Sequence, residues 1–227
     1  MRLSISTLAL AAALAWIPAA RAEPVDLELV LAVDSSASVD FNEFNLQLEG
    51  LAYAFRDPDL LAAIGNGAVG AIAVTLMEWA SAGRHELVVP WTRISNAAEA
   101  AAFADRIDRS PRHIQTGATS ISSAIRAANA LFESNGFEGA RQTIDVSGDG
   151  YNNQGEALVT ARAAVLETGT TINALAIENQ VHGLADYFEA QLIGGTGAFV
   201  IRAADYRDYL GQIRRKLLRE IQAPPMS

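Results

Sequence analysis

The sequence predicts a doubly wound α/β domain whose sheet is mostly parallel, with one antiparallel strand. Three observations lead there. From Pro24 onward, short apolar runs alternate with amphipathic helical segments, the pattern of helices crossing over between parallel strands. The first run, Leu29-Val30-Leu31-Ala32-Val33, is continuously apolar, as a strand buried on both faces requires. Two successive runs, Ala68 to Trp79 and Glu86 to Trp91, are joined through Ser81-Ala82-Gly83-Arg84, short enough for a hairpin and hence for one antiparallel strand.

The elements follow in order. After the first strand, Phe41, Phe44, Leu48, Ala52 and Phe55 recur at helical spacing with Asp40 placed to cap them, and Asp57-Pro58 closes that helix. The hairpin comes next. A helix over Asn96 to Ile107 turns Ala100, Phe103, Ala104 and Ile107 inward and leads into a polar loop, Asp108 to Gly117. Thr119 begins another helix, with Ile121, Ala124, Ile125, Ala128 and Phe132 as its apolar face. Thr143 to Ser147 reads as a strand, Gly155 to Glu167 as a helix ended by Gly169, and Thr171 to Ile177 as a strand. A short helix near Leu184 to Ile193, a strand at Ala198 to Ile201 and a last helix bearing Tyr206, Tyr209, Leu210, Ile213 and Leu217 complete the domain.

With 227 residues, half of them hydrophobic, the length fits one domain. Residues 1–22 read as a secretory signal: Arg2, an apolar stretch from Leu8 to Ile17, and Ala20-Arg21-Ala22 as a small-x-small cleavage site. That apolar stretch is shorter than the roughly 20 residues that span a bilayer, so cleavage is expected, with no membrane insertion afterwards. The domain then runs over 23–222, and Pro224-Pro225 marks a tail over 223–227. Losing Arg2 and Arg21 leaves 15 basic residues of the original 17 against 26 acidic ones, a net of −11. So acidic a chain is a poor partner for nucleic acid or an anionic membrane surface. No cysteine is present, which excludes disulfides, thiolate zinc sites and cysteine nucleophiles. Sixteen arginines against one lysine, Lys216, point to a GC-rich bacterial genome and so to a periplasmic or secreted protein.

Three oxygen side chains follow the first strand at alternate positions, Asp34, Ser36 and Ser38. A carboxylate and two hydroxyls at a strand's carboxyl end are hard donors suited to Mg²⁺ or Mn²⁺. Right-handed crossovers put all parallel strand ends on one edge, so Asp149 and Thr119 are expected beside them.

Asp34-x-Ser36-x-Ser38 resembles the metal-ion-dependent adhesion site of von Willebrand factor type A domains. Gly117-Ala118-Thr119-Ser120-Ile121 is similar to the loop carrying that family's metal-binding threonine, and Asp149-Gly150 to its Asp-Gly. The three pieces stand in the family's order, and the resemblance spans nearly the whole chain after the leader, as in exported bacterial proteins of this type. It implies that Ser36 and Ser38 bind the cation directly, Thr119 directly or through water, and Asp34 and Asp149 mainly through water. A coordination position is then left for an Asp or Glu carboxylate of a partner protein, so the expected function is metal-bridged protein binding without catalysis.

Two readings compete with it: a Mg²⁺-dependent phosphohydrolase with Asp34 as nucleophile, and a structural domain without metal. The first would want a general acid two residues on, where Ser36 stands. One departure from the family is Asp145-Val146-Ser147-Gly148 ahead of Asp149, which puts a carboxylate inside a central strand. There a charge needs a partner; a role beside the metal ligands, a strand-end position and pairing with an arginine such as Arg141 all remain open.

Two motifs are read as coincidental. Gly65-Asn66-Gly67-Ala68-Val69-Gly70 matches a dinucleotide fingerprint but precedes a strand, so it is a turn. Asp145-x-Ser147-x-Asp149-Gly150 with Glu156 mimics a calcium loop, yet its incoming segment is a strand and not a helix. His85, His113 and His182 read as solvated loop residues, and no Gly-x-Ser-x-Gly elbow occurs.

Overall fold

The computed structural model describes residues 22–223; the expected leader up to Arg21 and the tail from Pro224 lie outside them. Strand β2 (Leu27–Asp34) is buried along its whole length. Its residues alternate between two cores, Leu27, Leu29, Leu31 and Val33 to one and Val30 and Ala32 to the other, so its continuous apolar run serves both faces of the sheet. Around it lie β3 (Ile72–Trp79), β4 (His85–Ile94), β6 (Gln142–Gly148), β7 (Thr171–Ile177) and β8 (Val200–Ala203), in the order β4-β3-β2-β6-β7-β8. Among these six strands, only β3 and β4 pair with each other antiparallel. The fold is thus α/β, with a mostly parallel sheet and one antiparallel pair.

Helices α1 (Phe41–Phe55), α2 (Pro58–Gly65), α3 (Ala97–Asp108) and α7 (Tyr206–Gln222) cover one face, and α4 (Ile121–Ala130), α5 (Leu158–Leu166) and α6 (Leu184–Gln191) cover the other. The core against α1 and α7 includes Phe44, Phe55, Phe103 and Tyr209, each such side chain contributing about 1.5–3 kcal/mol by burial. Helix α1 starts with a reciprocal cap in which Asp40 Oδ1 accepts the Glu43 N–H and Glu43 Oε2 accepts the Asp40 N–H, both at 2.8 Å.

Several boundaries differ from expectation. Asp57-Pro58 ends one helix and starts another, because Asp57 caps the Asp59 N–H and Pro58 occupies the first helical position of α2. Residues 68–71 are not strand: the Asp26 carboxylate gathers the N–H groups of Val69, Gly70 and Ala71 into a turn. Helix α5 begins at Leu158 because Gly155 adopts φ +87° and holds the preceding loop out of helix. The last strand is displaced to Val200–Ala203, and Leu210 is 38% exposed on the outer side of α7. A small parallel pair, β1 (Glu23–Val25) with β5 (Phe137–Gly139), stands apart from the main sheet and has no strong sequence signature.

The chain leaves β2 toward β3 on one side, while β6 lies against β2 on the other. That divergence puts the topological switch point at the carboxyl ends of β2 and β6, the place where open α/β sheets bind ligands.

Candidate metal centre

Parallel pairing aligns Val33 with Ser147, so Asp34 at the end of β2 and Asp149 just past β6 stand side by side. Both are buried. Beyond β2 the chain turns sharply, with the Ser36 N–H donating to Asp34 Oδ1 at 2.7 Å, the Asx turn that an aspartate favours at a strand end. The Ser36 and Ser38 hydroxyls are 3.1 Å apart, and Ser38 Oγ donates to Asp149 Oδ1 at 2.7 Å. The other oxygen of Asp149 accepts from the Tyr206 hydroxyl at 3.0 Å. Four of the five expected site residues therefore form one connected set.

Thr119 stands beside Gly150, the residue after Asp149. Its Oγ1 lies 3.7 Å from where a Cβ on Gly150 would stand. The Thr119 N–H donates to Asn153 Oδ1 and its carbonyl accepts the Asn153 N–H, both at 2.9 Å. The Ala37 N–H donates to Gly117 O at 2.9 Å and ties the serine loop to the threonine loop. Thr119 does not begin its helix: it lies two residues before α4 and one before the cap residue, Ser120. Close packing at the site needs Gly148, where a Cβ would come within 3.3 Å of Asp34 Oδ2 and 3.4 Å of the Trp79 ring.

The electrostatics are those of a site short of positive charge. Asp34 Oδ2 is buried without a hydrogen-bond partner among the described residues. Burial first, and then the charge of Asp149, push the Asp34 carboxyl up to about 7, against the pull of hydrogen bonds from Ser36 and the Asp149 backbone. Among the described residues no ion pair involves either carboxylate, nor does any cluster of three or more His, Cys, Asp or Glu side chains form a metal cage. Three hydroxyls and two carboxylates, with one carboxylate oxygen unpartnered, suit a hard divalent cation that keeps part of its hydration.

Several residues that support this loop were not evident from the sequence. Arg112 donates to Ser35 Oγ and Ile114 O through Nε, to Val39 O through Nη1, and to Ser35 O and Ser36 O through Nη2, at 2.8–3.2 Å. One guanidinium thus gathers the backbone oxygens of the serine loop, a role that only its planar fork allows. The Glu78 carboxylate fixes the Arg112 segment by accepting from the His113 and Ile114 N–H groups at 3.0 and 2.9 Å, and burial raises its pKa. Gln47 Nε2 donates to Asp34 O at 3.0 Å. No local pattern marks an arginine in a polar loop, or a helix glutamine, as a loop clamp. The sequence marks Tyr206 only as part of an apolar helix face.

Asp145 resolves differently from the pairing with Arg141 that its position allowed. Its partner is Lys216 of α7, with Nζ 2.6 Å from Asp145 Oδ1 and 2.7 Å from Glu220 Oε1, all three side chains buried. Arg141 instead caps the end of α7, donating to the carbonyls of Glu220 and Ile221 at 3.0 and 3.3 Å. The calcium-loop motif is dispersed as well: Ser147 meets the Tyr209 hydroxyl, and Glu156 pairs with Arg126 at the surface. His85, His113 and His182 are exposed.

The profile of a family described as "Protein of unknown function (DUF1194)" matches residues 24–225. The chain belongs to that family. No curated protein matches the sequence of this DUF1194 chain. Among solved structures it is similar to proximal thread matrix protein 1 from the mussel byssus, described as having a zinc-occupied MIDAS motif, at 16% identity and TM-score 0.62 over 88% of this chain and 48% of that one. It is also similar to the pilus adhesin SpaC from Lactobacillus rhamnosus GG, at 13% identity and TM-score 0.59 over 88% of this chain and 32% of that one. A von Willebrand factor type A protein from Catenulispora acidiphila matches at 16% identity and TM-score 0.56, over 87% and 43% of the two chains. The DUF1194 chain thus has the von Willebrand factor type A fold and spans less than half the length of each of these proteins. No helix among its described residues is long and apolar enough to cross a membrane.

Proposed function

We propose that this chain is an exported, periplasmic or secreted module that holds Mg²⁺ or Mn²⁺ between Asp34, Ser36, Ser38, Thr119 and Asp149, and through it binds an Asp or Glu carboxylate of a partner protein. The observation that carries the reading is the connected set running from Asp34 through Ser36 and Ser38 to Asp149, with Asp34 Oδ2 buried and unpartnered. In this role the cation supplies an electron-poor position for an outside carboxylate oxygen. The chain's own residues do the rest. Ser36, Ser38 and Thr119 offer neutral oxygens, while Asp34 and Asp149 supply the negative charge. Arg112 and Gln47 fix the loop through its backbone, so that its hydroxyls are presented without a further ordering cost.

Binding is favoured over turnover because Asp34 is fully buried, with Oδ1 engaged by the Ser36 N–H. The named adhesin and the zinc-occupied motif in proteins of the same fold are consistent with this role. Calorimetric titration of Mg²⁺ into the wild type, Asp34→Asn and Thr119→Ala tests it. One-site binding by the wild type, weakened at least about tenfold in each variant, is expected; equal heats in all three would remove the metal from the account.

A further inference from the structure

Lys216 is the only lysine of a chain with sixteen arginines, and it is wholly buried, between β6 and α7. Arginine is the residue better suited to a buried ion pair, so charge by itself does not account for the choice. What lysine adds is an amine that can give up its proton and act as a nucleophile.

Nζ lies 2.6 Å from Asp145 Oδ1, which puts the carboxyl carbon, one C–O bond further on, within about 4 Å of the amine. Yet neither oxygen of Asp145 has a hydrogen-bond partner among the described residues, so this close approach lacks the alignment of a hydrogen bond. Glu220 Oε1 accepts from Nζ at 2.7 Å and from Asn173 Nδ2 at 2.9 Å, while its Oε2 is unpartnered among the same residues. Two buried carboxylates thus share one ammonium. Arg141 is committed to the carbonyls of Glu220 and Ile221, and Arg219 stacks on the Phe199 ring at 3.9 Å. Among the described residues, no second cation forms an ion pair with either acid.

We propose that Lys216 and Asp145 condense to an isopeptide amide, with Glu220 relaying the proton, so that α7 becomes joined covalently to β6. The ion pair of the structure is the reactant. Nζ gives one proton to Glu220, its lone pair forms the bond to Asp145 Cγ, and one C–O bond of the carboxyl group breaks with its electron pair. The departing oxygen leaves as water with two protons from the ammonium, one of them returned through Glu220. No other reactant is needed, and the charges of Lys216 and Asp145 both disappear. Burial favours the neutral amine and the neutral acid that the attack requires. Burial first, and then the charge of Asp145, push Glu220 up to about 7, so that near neutrality it can both take and return a proton. A cavity of about 30 Å³ lined in part by Thr143, Asn173 and Glu220 has room for the water released. In a chain without cysteine, the amide closes the loop 145–216 as a disulfide closes its own.

Intact-mass spectrometry of the purified full chain, folded and then denatured for the measurement, tests this. The wild type is expected to be lighter by one water than its sequence, counted from the N-terminus that fragmentation identifies. Lys216→Met is expected at full mass. Proteolysis of the wild type is expected to yield one branched peptide that carries both Asp145 and Lys216. A wild type at full mass overturns the inference whether or not the variant folds, and so does a loss of water that persists in Lys216→Met. Glu220→Gln is expected to stay at full mass or to lose water far more slowly; condensation as fast and as complete as in the wild type overturns the relay assigned to Glu220.

Discussion

The hydroxyl of Tyr206, on the first residue of α7, donates to Asp149 Oδ2 at 3.0 Å. The last helix and the candidate metal centre thus share one carboxylate, more than fifty residues apart in sequence. Burial and the nearby charges of Asp149 and Asp34 raise the Tyr206 pKa, so the phenol stays protonated and is a donor at any ordinary pH.

Tyr206→Phe removes that donor at almost constant volume. Asp149 then keeps a buried negative oxygen without its partner, which costs about 1.5–3 kcal/mol. Urea denaturation in EDTA is expected to show a lower midpoint with an unchanged slope. A midpoint equal to wild type would mean that the bond contributes nothing.

Lys216→Met tests the seam between α7 and β6. Methionine fills similar space but leaves Asp145 and Glu220 buried together without a cation, a loss of about 3–5 kcal/mol. Denaturation at pH 8 measures it. A loss below about 1 kcal/mol would show that the carboxylates do not depend on the lysine.

Stability should also carry a pH signature from this seam. Burial first, and then the charge of Asp145, push Glu220 up to about 7, against the pull of Lys216 and Asn173. The native chain therefore holds a proton that the unfolded chain, with an ordinary glutamate near 4.5, releases first. The group's contribution is complete below about 4.5 and is lost as pH rises through about 7. Glu220→Gln cannot titrate, so the difference in stability between wild type and variant should shift steadily in the variant's favour from pH 4.5 to 7. A difference that is flat across that window would remove Glu220 as the titrating group.

Arg112→Lys keeps the charge and loses the fork. A single ammonium cannot serve Ser35, Ser36, Val39 and Ile114 together. Mg²⁺ affinity is expected to fall about tenfold, with the helical circular dichroism unchanged. Affinity equal to wild type would show that the serine loop holds its shape without the guanidinium.

The sequence by itself determined what depends on nearest neighbours along the chain. Continuous apolar runs can be buried only as central strands, the Asp40 cap and the Phe44-Leu48-Phe55 stripe can form only a helix against them, and parallel crossovers leave Asp34, Thr119 and Asp149 at one edge. Hence the fold class was legible, as was the nearness of Asp34, Ser36, Ser38 and Asp149. The short pair β1 and β5 and the one-turn separation of α1 from α2 were not, because their few residues carry too little periodicity. Tertiary structure alone decided that Asp145 pairs with Lys216 and not with Arg141, that Arg112 clamps the serine loop, and that Tyr206 reaches Asp149. Those pairings depend on where α7 and the Arg112 loop come to rest against the sheet. That position is set by the packing of whole faces, and no local run of residues encodes it.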